Sequence, residues 1–531
     1  MIVCSSIISS IGLAQSDARP NILLIVADDL GYADLGVFGS EIRTPNIDSL
    51  ASQGTIFTNF HTAPTCAPTR AMLLSGNNNH VAGVGVQNGS ANPTLRLNLP
   101  GYGGHLSDRV VPMPRLMADA GYKTYMAGKW HLGLEPEHSP TAAGFQRVFS
   151  MLHGAGAHFS STGMRDGGSA YWRDGQPATF PDDSYTTELF TEELIQFIDE
   201  GKDNEEPFFA MASYTSPHWP LQVPDEYLNL YAGQFGQGYD QLRVDRLESL
   251  KAAGIISPDH VLPPRNQAIT PWESLADEEK RNESRKMELY AAMVENLDFH
   301  VGQLLNYLKD EGLYENTLVV FMSDNGAAAE DFFYAGPFAE YISSNYSDAY
   351  EDMGKPGSWI SYGPQWAEAG SAPFSRRKSY TAEGGIVAPM IIAGTNMNMS
   401  TSISHEYLTV MDLAPTFLEI AGANYPNDSS LEPMRGESMR SFLEGRSRQV
   451  HDEDYVVAVY QSGRAYLRQG DWKLMNLEPP FSESQFMLFN IAEDPSETEN
   501  LREIMPVKFD EMVRLWREER MALGIVLPQD L

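Results

Sequence analysis

The run Ile22-Leu23-Leu24-Ile25-Val26-Ala27, bounded by Pro20-Asn21 and Asp28-Asp29, constrains this chain more than any other stretch. Consecutive apolar residues without alternation read as a strand buried on both faces, and such strands belong to sheets covered by helices. The pattern recurs: Thr55 to Phe60, Lys123 to Ala127, Phe208 to Tyr214, Leu318 to Met322 and Ile386 to Ala393 read as further strands. Helical spacing falls between them at Thr44 to Ala51, Pro114 to Gly121, Thr187 to Asp199, residues 277–311 and Val410 to Ala421. Alternation of strand and helix predicts an α/β fold. Residues 154–183, rich in glycine, aromatics and polar groups, read as a long loop or small insertion, and 327–375 as aromatic and acidic loop material; such loops commonly line the mouth of a pocket. From about residue 446 the texture shifts to short alternating runs, Val456 to Tyr460, Ala465 to Arg468, Trp472 to Asn476 and Phe486 to Asn490, then a helix near 508–521. This predicts a smaller C-terminal α+β subdomain over 446–531, an antiparallel sheet plus a helix.

At 531 residues the chain is long enough for a large core and two domains. Its formal charge of −34, from 37 basic against 71 acidic residues, argues against general binding to nucleic acid or an anionic membrane, whose phosphates it would repel. No stretch is long and apolar enough to span a membrane, so no membrane insertion is expected. Two cysteines, Cys4 and Cys66, exclude a disulfide framework. Residues 1–14 form a short apolar stretch ending in small residues at Gly12 and Ala14. That predicts a leader over 1–18, a signal peptide cut before Gln15 although without a basic start, and a periplasmic or secreted protein; a cytoplasmic protein is the alternative.

Five strands end in groups able to bind an oxyanion, a cation or a proton: Asp28 and Asp29, the Cys66 loop, Lys129 and His131, His218, and Asp324 with Asn325. Ligands of open α/β sheets bind beyond the carboxyl ends of the strands, so the coincidence points to one site. Singly, each has a plainer explanation, since Asp-Asp and Asp-Asn-Gly occur in turns and a lone histidine is usually structural. Three carboxylates and an amide oxygen suit a hard cation such as calcium or magnesium better than zinc. Cys66 stands at a predicted helix start, with Thr65 or Cys66 as cap and Pro68 in the first turn. Free N–H groups and the helix dipole favour an anion there, and Arg70 falls four residues on along the same face. A buried structural thiol near a solvated arginine is the plainer reading of that pair. Tyrosine-phosphatase chemistry is excluded, because three residues separate Cys66 from Arg70 and that motif has five.

Cys66-Ala67-Pro68-Thr69-Arg70, followed by a short apolar helix and Ser75-Gly76, resembles the signature of the type I sulfatases, with Ala67 where family members often carry serine. The resemblance, to bacterial formylglycine-dependent arylsulfatases of the alkaline phosphatase superfamily, continues through Val26-Ala27-Asp28-Asp29-Leu30-Gly31, Gly128-Lys129-Trp130-His131-Leu132-Gly133, Pro217-His218-Trp219-Pro220-Leu221 and Ser323-Asp324-Asn325-Gly326-Ala327. It implies their fold, a large mixed, mostly parallel sheet flanked by helices, in a catalytic domain over residues 19–445. It implies that a transiently bound maturation enzyme oxidises Cys66 to formylglycine, and that Asp28, Asp29, Asp324, Asn325 and the modified Cys66 hold one calcium ion. By the same resemblance Arg70 and Lys129 would stabilise the hydrated aldehyde and the sulfate oxygens. His131 would contact the hydrate and assist loss of sulfate, while His218 and Lys378 would face the bridging oxygen and the sulfate. The expected reaction is hydrolysis of an aryl or alkyl sulfate on a small molecule or glycan. The hydrate attacks sulfur, the alcohol departs, and the second hydroxyl expels sulfate as C=O re-forms. Related two-zinc phosphatases use histidine ligands, and Asn325 stands where several of them carry one. A phosphodiesterase or phosphonate-ester hydrolase using the same aldehyde, and a catalytically silent binder of sulfated glycans, are the rival expectations.

Overall fold

The computed structural model describes residues 19–87, 99–203, 206–395, 397–399 and 402–530; the leader expected over 1–18 lies outside the described residues. The main sheet is built from β1 (Asn21–Ala27), β2 (Gly54–His61), β3 (Lys123–Lys129), β4 (Arg147–Met151), β5 (Tyr171–Arg173), β6 (Gln176–Ala178), β7 (Phe208–Ser213), β8 (Thr317–Ser323), β9 (Val387–Gly394), β10 (Ile403–Ser404) and β11 (Leu408–Thr409). Its order is β10-β2-β9-β8-β1-β7-β3-β4-β5-β6, with β11 also on β2. β1 pairs in parallel with β7 and β8, and β3 with β7 and β4. β9 runs antiparallel to both β8 and β2, which returns β2 to the direction of β1. The C-terminal ends of β1, β2, β3, β7 and β8 therefore open onto one edge of a mixed, mostly parallel sheet.

Six helices position this sheet: α1 (Pro45–Ser52), α2 (Cys66–Ser75), α3 (Met113–Asp119), α4 (Thr186–Gly201), α5 (Tyr239–Ala252) and α6 (Asp277–Asp310). α1 and α4 pack against α6, while α2 and α3 pack together with the helix Leu413–Ala421. Between these layers every residue of β1 and β8 is buried, which is why the two strands read as unbroken apolar runs.

The C-terminal region forms a separate antiparallel sheet, β12 (Val456–Gln461), β13 (Arg464–Gln469), β14 (Trp472–Asn476) and β15 (Met487–Asn490), packed against the helix Pro506–Leu523. Its buried side chains continue the core of the main sheet. A wholly buried ionic network joins the two sheets. Lys473 on β14 donates to Glu383 at 2.5 Å and to Glu497 at 2.7 Å, and the second oxygen of Glu383 meets His61 Nε2, at the end of β2, at 2.9 Å.

In 154–183 the small insertion is the hairpin β5–β6, which adds antiparallel strands to the edge strand β4. The structure differs from the sequence reading in the segment 327–375 and at the helix α5. The segment 327–375 carries the short helices Ala339–Asn345 and Gly363–Gly370. α5 was not legible because its buried face, Tyr239, Leu242, Arg246 and Leu250, contains a charge. Arg246 is buried there by ion pairs to Asp34 and to Glu41.

Candidate active site

Each strand end contributes by a definite local device. β1 stops at Asp28, whose backbone N–H donates to Ser216 O at 3.1 Å. Asp29 follows with φ 66°, a left-handed conformation that costs a non-glycine residue about 1–2 kcal/mol and turns its carboxylate back toward the sheet edge. After β2, Thr65 is the N-cap by backbone geometry but its hydroxyl makes no cap bond. The preceding loop is closed instead by Thr69 Oγ1, which accepts from Ala63 N at 3.0 Å and donates to Ala63 O at 3.1 Å. Cys66 is thus the first residue of α2 and fully buried. In β3, Gly128 has φ 119° and a Cβ there would meet Ser213 O at 1.8 Å, so only glycine lets β3 and β7 close at this point. That closure brings Ser213 Oγ within 2.7 Å of Lys129 O.

The side chains interlock by charge. Lys129 Nζ donates to both oxygens of Asp28 at 2.7 Å. Arg70 donates through Nε and Nη2 to Asp324 Oδ2 at 3.0 and 2.8 Å and through Nη1 to Lys129 O at 2.8 Å. Asp324 Oδ1 accepts from Asp29 N at 3.2 Å. Asn325 Nδ2 donates to Asp29 Oδ1 at 2.6 Å, while its Oδ1 is buried without a partner. Lys378 Nζ lies 2.6 Å from Asp29 Oδ2, 3.3 Å from Cys66 Sγ and 3.4 Å from His218 Nε2. Cys66 Sγ is 3.4 Å from Asp29 Oδ1. Three carboxylates and three cations, none more than 3% exposed, share the site, and their mutual pairing makes that burial tolerable.

Burial sets the protonation of the uncharged members. It pushes the Cys66 thiol well above its ordinary range, with the Asp29 charge adding to the effect, so the residue is a protonated and weak nucleophile. It holds His131 and His218 well below theirs, so both are neutral imidazoles. His218 Nδ1 lies 2.7 Å from Trp219 O and carries the proton, leaving Nε2 to accept from Lys378. Burial also pushes Asp28 up to about 7 against the opposing charge of Lys129. For Asp29 burial acts upward, but Lys378, His218 and Lys129 hold the carboxylate below the usual range.

All ten residues singled out in the sequence meet in one place, though not equally. Asp28, Asp29, Cys66 and His218 each offer a donor atom within 4.8 Å of the others. Asp324 stands behind them, engaged with Arg70. His131, also left-handed at φ 64°, touches the charges only through space; its ring lies so close over Gly154 that a Cβ there would come within 2.2 Å. Sequence reasoning missed His158, which reaches His218 O through Nε2 at 3.1 Å and Thr186 Oγ1 through Nδ1 at 2.7 Å and so fixes the His218 loop. It lies in a stretch with no regular periodicity, so nothing local marked it. His131, His218 and Lys378 line the floor of a cavity of 810 Å³ that opens to solvent between the loops 131–138, 152–165 and 330–338.

The sequence and the fold both have known relatives. The family model described as Sulfatase matches residues 20–423. An uncharacterised sulfatase of Schizosaccharomyces pombe is 38% identical over 96% of this chain and 95% of its own length. An arylsulfatase of Klebsiella aerogenes is 38% identical over 82% of this chain and 94% of its own. Among solved structures, that of Ps i-CgsB in complex with k-i-k-neocarrahexaose superposes with a TM-score of 0.66 at 25% identity, covering 94% of this chain and 92% of that one.

Proposed function

This chain belongs to the sulfatase family and is a sulfuric ester hydrolase, and on that premise we propose that it cleaves sulfate monoesters with a formylglycine made from Cys66 and one calcium ion beside it. The observation that carries the reading is the state of Cys66. It sits at a helix start between Asp29 and Lys378, where a nucleophile is wanted, yet burial keeps it a thiol. An aldehyde made at that position would supply, once hydrated, two hydroxyls, one to bond sulfur and one to release it, which a thiol cannot do. Since Cys66 is fully buried, the maturation enzyme must reach it before the chain has folded.

The donor set fits calcium. Carboxylates dominate it, and Asn325 brings a buried amide oxygen that lacks a partner. A half-turn of that amide puts its oxygen beside Asp29, as joint ligation requires. Asp28, Asp29, Asp324 and Asn325 would hold the ion with position 66, and it would supply positive charge to the sulfuryl oxygens.

The chain's own groups do the rest. Lys129 and Arg70 are pinned by Asp28 and Asp324, so their charges are preorganised for an anion and need no rearrangement as charge develops. Lys378 stands between the nucleophile position and His218, and donates toward His218 Nε2. The proton for the departing alcohol oxygen therefore starts on Lys378 and passes through His218 Nε2 to that oxygen, which makes His218 the immediate donor and Lys378 its source. His131 overlies Gly154 as a neutral base suited to take a proton from the hydrate when sulfate leaves. Parallel assays with 4-nitrophenyl sulfate, bis(4-nitrophenyl) phosphate and a phenylphosphonate monoester test the reading. It requires the sulfate to have the largest kcat/KM; a preference for either phosphorus ester overturns it.

A further inference from the structure

One wall of the cavity above this site is a continuous ladder of rings. His218 and Trp219 have ring centroids 4.2 Å apart, Phe332 stands edge-on to Trp219 at 5.2 Å, and Phe338 edge-on to Phe332 at 5.5 Å. The guanidinium of Arg165 caps the ladder 5.9 Å above the Phe338 ring. All five groups but none of the three catalytic cations except Lys378 line the same cavity. Two polar features of this wall lack protein partners. Trp219 is 6% exposed and its Nε1–H is buried without an acceptor. Arg165 makes no ion pair among the described residues, in a chain where acidic residues outnumber basic ones 71 to 37. The carboxylates that share the rim do not answer it. Glu330 accepts from Ser379 Oγ at 2.9 Å, and Glu135 acts on His138, whereas the charge felt by His153 is that of Arg165.

We propose that this wall is the subsite for the alcohol part of the substrate, and that it selects a ring-bearing sulfate ester carrying a second anionic group at the end remote from the ester. The ring lies against Trp219 and Phe332, and the second anion meets Arg165. The inference rests on the sulfate-ester reading above and extends it outward from the reacting sulfur. An aromatic acid and an anionic glycan share this chemistry, since either presents a flat apolar face and a second negative charge.

The test compares 4-nitrophenyl sulfate, biphenyl-4-yl sulfate and 4′-sulfooxybiphenyl-4-carboxylate, together with a disulfated disaccharide and its monosulfate, in the wild-type enzyme and in Arg165→Gln. Loss of a charge-assisted contact at a wetted rim should lower kcat/KM for the doubly anionic substrate by about tenfold, through KM, and raised salt should shrink the difference. 4-Nitrophenyl sulfate should change by less than about twofold, as expected for a substitution remote from the reacting atoms. Whichever doubly anionic compound shows the Arg165 dependence identifies the source, and equal effects on all substrates, or none on any, overturn the proposal. Titration of the product 4′-hydroxybiphenyl-4-carboxylate by calorimetry reads the subsite without turnover and must weaken by a similar factor in the variant. If that binding is Arg165-dependent while no sulfate ester is cleaved, the sulfate-ester reading has failed and the subsite has not.

Discussion

The backbone N–H of Ser379 donates to the carbonyl oxygen of Pro64 at 2.8 Å, and this bond clamps the Lys378 loop onto the loop that presents Cys66. Two residues 312 positions apart are thereby held 3.3 Å from each other, Nζ to Sγ. The same segment is anchored on its other side, where Lys378 N donates to Ala327 O at 3.1 Å and Gly326 N to Gly385 O at 3.2 Å. A lysine fixed from two sides over the Cys66 position is a preorganised cation.

Lys378→Met should therefore lower kcat by about 10²–10³-fold, the usual effect of deleting one donor aimed at developing charge. The fold should survive, because the methionine keeps the volume. Circular dichroism and steady-state kinetics on 4-nitrophenyl sulfate check this, and retention of full kcat would remove Lys378 from the chemistry.

His218→Ala should slow alkyl sulfates by up to about 10²–10⁴-fold and nitrophenyl sulfates far less, because only the poor alkoxide leaving group needs a proton. A leaving-group series is the measurement. A uniform loss across it would assign His218 to sulfate binding instead.

Calcium should raise the melting temperature of the wild-type protein, by linkage worth about 2.7 kcal/mol at a hundredfold excess over Kd. Asp28→Asn and Asp29→Asn should bind less than one equivalent by elemental analysis and lose that stabilisation. Two zinc ions per chain and no calcium would contradict the hard-cation site.

Stability should also report the buried network between the sheets. Burial, with the Glu383 charge added and Lys473 opposing, pushes Glu497 up from 4.5 to about 7. Between those values the folded protein holds a proton that the unfolded chain has released, so stability falls as pH rises through this window. Glu383, held below its usual range by Lys473 and His61 despite burial, is ionised throughout the window and adds nothing to the slope. Glu497→Gln should flatten the fall, by as much as about 3 kcal/mol between pH values of about 5 and about 8, read as urea midpoints. Lys473→Met, which removes the cation shared by two buried carboxylates and leaves Glu383 its contact with His61, should cost about 3–5 kcal/mol.

Much of this architecture was legible because burial writes itself into composition. β1 and β8 are covered on both faces, so their apolar runs gave their positions to within a residue, and the shift to alternating texture after residue 446 marked the second sheet. The gathering of Asp28, Cys66, Lys129, His218 and Asp324 could be anticipated from their common position after strands. What could not be read depends on pairing in space. Arg246 looks like surface until Asp34 buries it, and His158 is one histidine among twelve until it meets the carbonyl of His218. The ladder from Trp219 to Phe338 joins residues more than a hundred positions apart whose spacing carries no period.

The central claim is that position 66 acts as an aldehyde, and mass spectrometry of the peptide containing it, from active protein made beside a maturation system, tests it most directly. The account predicts formylglycine at Cys66, trapped as a hydrazone by a carbonyl reagent, in an amount proportional to the activity of each preparation. Fully active protein in which every copy of the peptide carries an unmodified thiol would contradict it.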